Sequence, residues 1–162
     1  MRAAGFQVTK RRVFEANTVF DTAGGELRDR GCLLRVREAG RRGVLTYKGP
    51  AAGGKHKSRE ELEVDVSDPR RLSRILASVS FVPSFRYEKF RTEYARPREA
   101  GSAMLDETPI GVYLELEGTS AWIDRTGRRL GFAESDYSTA SYYSLYVDYC
   151  RRHGLPVTHM TF

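Results

Sequence analysis

Several stretches of this chain alternate strictly between branched apolar residues and full charges, and that pattern constrains the fold more than any other feature. In residues 112–118, VYLELEG, Val112, Leu114 and Leu116 fall on one parity and Tyr113, Glu115 and Glu117 on the other. At the two-residue period of a strand, this sets two carboxylates side by side on one face and apolar side chains on the other. Residues 33–37, LLRVR, place Arg35 and Arg37 on one face in the same way. Residues 58–66 put Arg59, Glu61, Glu63 and Asp65 on one parity against Leu62, Val64 and Val66. Residues 87–94 bring Lys89, Arg91 and Glu93 together. An amphipathic sheet whose charged faces look at each other accounts for all four.

The chain has 162 residues, 40% of them hydrophobic, which suits one domain with a sizeable core. No apolar run approaches the roughly 18 residues that cross a bilayer, and no signal peptide is evident, so the expectation is a cytoplasmic protein with no membrane partner. Cys32 and Cys150 have no neighbour at a metal-ligand spacing, which argues against a zinc site and does not call for an oxidising compartment. A net charge of +6 favours anionic partners. Nucleic acid is disfavoured, because no recognisable stacking motif accompanies the charge.

Read in order, residues 1–5 form the tail of an element that Gly5 stops. Strands are predicted over 6–20, 32–38, 44–48, 59–66, 85–95, 103–107 and 111–118, with a hairpin around residues 39–43. Asp68 and Pro69 open a helix whose Leu72, Ile75, Leu76 and Val79 make one apolar stripe. A second helix falls near 121–130. A third is capped by Ser138 or Thr139, carries Tyr142, Leu145, Tyr146 and Tyr149, and ends at Gly154; residues 151–162, the helix's last turn included, are the C-terminal tail. The expected fold is α+β, antiparallel strands covered by amphipathic helices that bury their stripes against the apolar strand parities.

The opposite parities carry Arg35, Arg37, Lys48, Arg59, Lys89 and Arg91, set against Glu61, Glu63, Glu93, Glu115 and Glu117, with Asp106 nearby. Two arrangements are compatible with this. A flat sheet would expose the charges to solvent. A closed barrel would bury them, and the desolvation must then be offset by pairing or by a highly charged ligand. Clustered cations suit a polyphosphate, and carboxylates beside them suit a hard divalent ion completed by phosphate oxygens.

One series of short motifs bears on the choice. Asn17-Thr18-Val19-Phe20-Asp21-Thr22 is followed by Gly31, Leu34-Arg35-Val36-Arg37, Leu45-Thr46-Tyr47-Lys48-Gly49 and Arg59-Glu60-Glu61-Leu62-Glu63. Then come Lys89-x-Arg91, Leu105-Asp106, Leu114-Glu115-Leu116-Glu117-Gly118, Leu130-Gly131 and Ser141-Tyr142. In this order, over about residues 6–150, the series resembles the CYTH superfamily of triphosphate tunnel metalloenzymes, which includes class IV adenylyl cyclases and thiamine and inorganic triphosphatases. The resemblance implies an antiparallel β tunnel with flanking helices, filling the single domain 1–162.

It further implies that Arg35, Arg37, Lys48, Arg59, Lys89 and Arg91 hold phosphate oxygens. Glu115, Glu117 and Asp106 would serve a divalent metal, Mg²⁺ or Mn²⁺, with Glu61 and Glu63 as further tunnel acids. The implied function is binding of inorganic, nucleoside or thiamine triphosphate and its hydrolysis. ATP cyclisation to cyclic AMP and pyrophosphate, or binding without catalysis, are the alternatives. The family's Glu-x-Glu-x-Lys strand has no counterpart in the sequence. The expectation is therefore a tunnel lacking its first strand, with an edge that a second copy could cover. Gly49–His56 nearly spells a phosphate-binding loop, but His56 stands where Ser or Thr is required, and strands flank it on both sides.

Overall fold

The computed structural model describes residues 1–40, 42–53 and 58–162. Gly54, Lys55 and His56 of the phosphate-loop look-alike lie outside the described residues.

A short 3₁₀ turn, Arg2–Ala4, stops at Gly5, whose left-handed φ of 81° reverses the chain into β1, Gln7–Asp21. A single-turn helix α1, Glu26–Asp29, leads into the hairpin of β2, Leu33–Ala39, and β3, Arg42–Lys48. β4 is Glu61–Val66, so Arg59 sits just ahead of the strand that was expected to contain it. The Asp68 side chain accepts a hydrogen bond from Arg71 N and caps α2, Pro69–Ser78. β5, Val82–Ala95, β6, Ser102–Thr108, and β7, Gly111–Glu117, follow as a meander. Thr119 caps α3, Ser120–Arg129. Ser141 caps α4, Tyr142–His153, two to three residues after the predicted position.

The strands form one seven-stranded sheet in the order β4-β3-β2-β1-β5-β6-β7, and every neighbouring pair is antiparallel. β4 and β7 are its edges, so the barrel is open. The sheet is nonetheless strongly curled. Laid flat, β4 and β7 would stand six strand spacings apart, about 29 Å. Glu117 on β7 instead feels the charges of Lys48 on β3 and Glu61 on β4.

Two helices cover the apolar side as expected. α2 packs Leu72 and Leu76 on Phe20, Val36, Leu34 and Leu45, whereas Ile75 and Val79 of the expected stripe are exposed. α3 packs Trp122 with Phe6, Ala103, Leu114 and Leu116. The third departs from expectation. Tyr146 and Cys150 of α4 pack on Phe85 and Tyr87, which share their parity with Lys89 and Arg91. Thus α4 lies against the charged face, because that face of β5 opens with two aromatic rings before its cations begin. The buried stripe is Tyr146 and Cys150, with Tyr142 packed alongside. Tyr149, by contrast, stacks on His153. The chain's end is tied down as well: Met160 is buried and exchanges backbone hydrogen bonds with Arg86 and Glu88, continuing the sheet beyond the end of β6. Both cysteines are buried and free. Among the described residues, no helix is long and apolar enough to cross a membrane.

Candidate functional site

The charged parities of all seven strands meet on one side of the curled sheet, and the ladder registers set the pairs. Arg35 stands opposite Thr46, which in turn stands opposite Glu63. The Arg35 guanidinium is buried; it donates to Tyr87 Oη and Thr46 Oγ1, both at 3.1 Å, and lies 3.5 Å from Glu63. Thr46 donates its own hydroxyl hydrogen bond to Glu63 at 2.7 Å. Arg37 reaches the same carboxylate at 3.8 Å, and Lys48 pairs with Glu61 at 2.7 Å. Burial works against the Glu63 carboxylate, but the Thr46 hydroxyl, then Arg37 and Arg35, hold it below the ordinary range. Arg59 remains beside this group although it lies outside β4. Burial lowers its pKa; Glu61 opposes the shift and the nearby Arg35 adds to it.

The second group is more deeply enclosed. Asp106 has no exposed surface and accepts from Lys89 Nζ at 2.7 Å, Arg91 Nε at 2.7 Å, Arg91 Nη2 at 2.6 Å and Tyr142 Oη at 2.7 Å. Burial alone would raise its pKa. Arg91 and Lys89 overcome that and hold it down at about 2. Arg91 also donates to Glu115. Tyr142 is held as the neutral phenol, first by burial and then by the Glu115 and Asp106 charges. The Glu117 carboxyl is pushed upward, chiefly by burial and next by Glu115 two residues away on the same face.

These contacts sort the expected metal ligands. Asp106 is saturated by two cations and a phenol, so it acts as the counter-ion that orients Lys89 and Arg91, and no metal role is assigned to it. Glu115, partly exposed and paired with Arg91, and Glu117, at the exposed end of the same strand face, are the two remaining acids that could face one divalent ion, which phosphate oxygens and water would complete. Among the described residues, no cluster of three or more His, Cys, Asp or Glu could hold a metal by protein ligands alone.

The sequence reading missed Glu15 and Asn17. Both are fully buried on the charged side of β1, and none of their four terminal oxygen and nitrogen atoms has a hydrogen-bond partner. Glu15 stands opposite Lys89, whose ammonium is 3.9 Å away. Asn17 stands between Arg37 and Tyr87. Only the ladder register exposes this arrangement, since neither residue belongs to a charged alternation.

An open, curled antiparallel sheet whose inner face carries paired cations and carboxylates defines a tunnel-type domain. The chain belongs to the CYTH domain family, whose profile matches residues 3–126. A Methanocaldococcus jannaschii protein provisionally named an adenylate cyclase is 29% identical over 119 residues, which cover 72% of this chain and 66%, just under two thirds, of that protein. Among solved structures, a Pyrococcus horikoshii protein superposes with a TM-score of 0.77 at 21% identity, covering 90% of this chain and 89% of that one. A Hippeastrum protein, provisionally an adenylyl cyclase and described as having a dominant triphosphatase activity, gives 0.62 at 20% identity, covering 91% and 85%.

Proposed function

We propose that this domain binds a linear triphosphate across the inner face of its sheet and hydrolyses it. One observation carries the reading: Arg35, Arg37 and Lys48 on β2 and β3 lie across β1 from Lys89 and Arg91 on β5, with Arg59 beside them. Two banks of cations on either side of one strand match a chain of phosphates and exceed what a single carboxylate ligand would need. Glu115 and Glu117 would hold Mg²⁺ or Mn²⁺ together with phosphate oxygens, and the ion would neutralise charge developing on the transferred group. The chain's own side chains bind, orient and desolvate the phosphates. The triphosphatase described for the Hippeastrum protein supports hydrolysis. The cyclase name of the Methanocaldococcus relative supports a second reading, in which ATP is cyclised.

Calorimetric titration with inorganic triphosphate, with and without Mg²⁺, tests binding. Micromolar or tighter binding that Arg35→Ala/Arg37→Ala abolishes is expected. A folded protein that takes up no triphosphate would refute the proposal. Product analysis with ATP then separates the two chemistries: cyclic AMP with pyrophosphate against ADP with phosphate or linear AMP with pyrophosphate.

A further inference from the structure

β1 is the strand between the two cation banks, so any phosphate chain that bridges them passes over its inward side chains. The two fully buried side chains there are Glu15 and Asn17. A carboxylate is the wrong group for binding an anion, since it repels the phosphates its neighbours attract. It also contributes little to the fold. Its oxygens accept no hydrogen bond, and Lys89, its nearest cation, already bonds Asp106 more closely, at 2.7 Å against 3.9 Å. A buried carboxylate that accepts no hydrogen bond is destabilising unless something completes it. A water fits that need: Glu15 and Asn17, roughly 7 Å apart along the strand, offer it three acceptor atoms and one amide donor.

We propose that Glu15, with Asn17 beside it, holds the water that attacks the terminal phosphorus of the bound triphosphate, and that Glu15 accepts the proton. The inference rests on the triphosphate reading above. In the step, a lone pair of the water oxygen forms the new bond to the terminal phosphorus. The bond from that phosphorus to its bridging oxygen breaks, and its electron pair leaves on pyrophosphate. One water proton passes to the Glu15 carboxylate and from there to solvent, so triphosphate and water become pyrophosphate and phosphate. Glu15 is then a catalytic base and Asn17 a positioning residue.

The test is Glu15→Gln, an isosteric change, compared with wild type for hydrolysis of inorganic triphosphate with Mg²⁺, for calorimetric binding, and for thermal melting of the metal-free protein. Removing a positioned base lowers kcat by about 100-fold or more. Because the change also removes a repulsive charge, KM should stay equal or fall, and the melting temperature should hold or rise. If Glu15 serves only as a counter-ion to Lys89, the variant instead raises KM and melts lower, which overturns the assignment. A kcat within about threefold of wild type overturns it too, as does a wild-type protein that binds triphosphate without hydrolysing it or that forms a cyclic product. Loss of the triphosphate reading shows separately, as wild-type protein that does not bind.

Discussion

Asp106→Ala is the sharpest perturbation the structure offers. The Asp106 carboxylate is fully buried and receives four hydrogen bonds, from Lys89, Arg91 and Tyr142. After truncation, Arg91 keeps Glu115, but the nearest carboxylate left to Lys89 is Glu15 at 3.9 Å, with the Tyr142 ring 5.0 Å away. Leaving a buried charge without its partner costs about 3–5 kcal/mol. Because half of the cation pair stays compensated, the lower end, about 3 kcal/mol, is expected. For a domain of this size that lowers Tm by roughly 6–12 °C. Urea unfolding followed by tryptophan fluorescence reads the loss directly, since Trp122 is buried between Phe6 and the sheet. Adding inorganic triphosphate should narrow the gap between variant and wild type, because the ligand replaces the missing negative charge; saturation at about 100 times Kd contributes about 2.7 kcal/mol. A loss under about 1 kcal/mol would refute the assignment of Asp106 as the organising counter-ion. Equal stabilisation of both proteins by triphosphate would refute the placement of phosphate beside Lys89 and Arg91.

Three further outcomes follow from the same geometry. The Asp106 pKa is lowered from 3.8 to about 2 on folding, so its contribution is fully present above about pH 4 and is lost as pH falls towards 2. That is about 2 kcal/mol, and urea midpoints between pH 5 and 2 should fall more steeply for wild type than for Asp106→Asn. Tyr142→Phe removes a hydrogen bond to a carboxylate and should lower stability by about 1.5 kcal/mol; an unchanged urea midpoint would mean Lys89 and Arg91 alone hold Asp106. Gly101→Ala would place a methyl 2.3 Å from the Trp122 ring, so a loss of about 2 kcal/mol with a shifted fluorescence maximum is expected, and an unshifted spectrum would show that the ring has room to move.

The strands and their faces were legible because charge alternation is a local signal. Arg35, Arg37, Lys89 and Arg91 could each be placed on a face from two or three neighbours. The caps of α2 and α4 were legible in kind, but Ser141 caps α4 rather than Ser138 or Thr139, because several hydroxyls compete within four residues. The seat of α4 was not legible. Its stripe fits any apolar surface, and only tertiary structure shows that Phe85 and Tyr87 provide one on the charged side. Asp106 was found, but its sequence neighbours do not reveal that Lys89 and Arg91 converge on it. Glu15 was missed because its meaning comes from a cross-strand register with Lys89.

The prior pairing of the cations also decides how a ligand gets in. Glu61, Glu63 and Glu115 remain 35–41% exposed at their side chains, whereas Asp106 is sealed. On the proposed triphosphate reading, the inner face would behave as an ion exchanger with a fixed and a replaceable half. An incoming phosphate gains only the difference between its own contacts and those of the carboxylate it displaces. Single anions gain little in such an exchange, while several charges on one short chain displace several carboxylates in a single event.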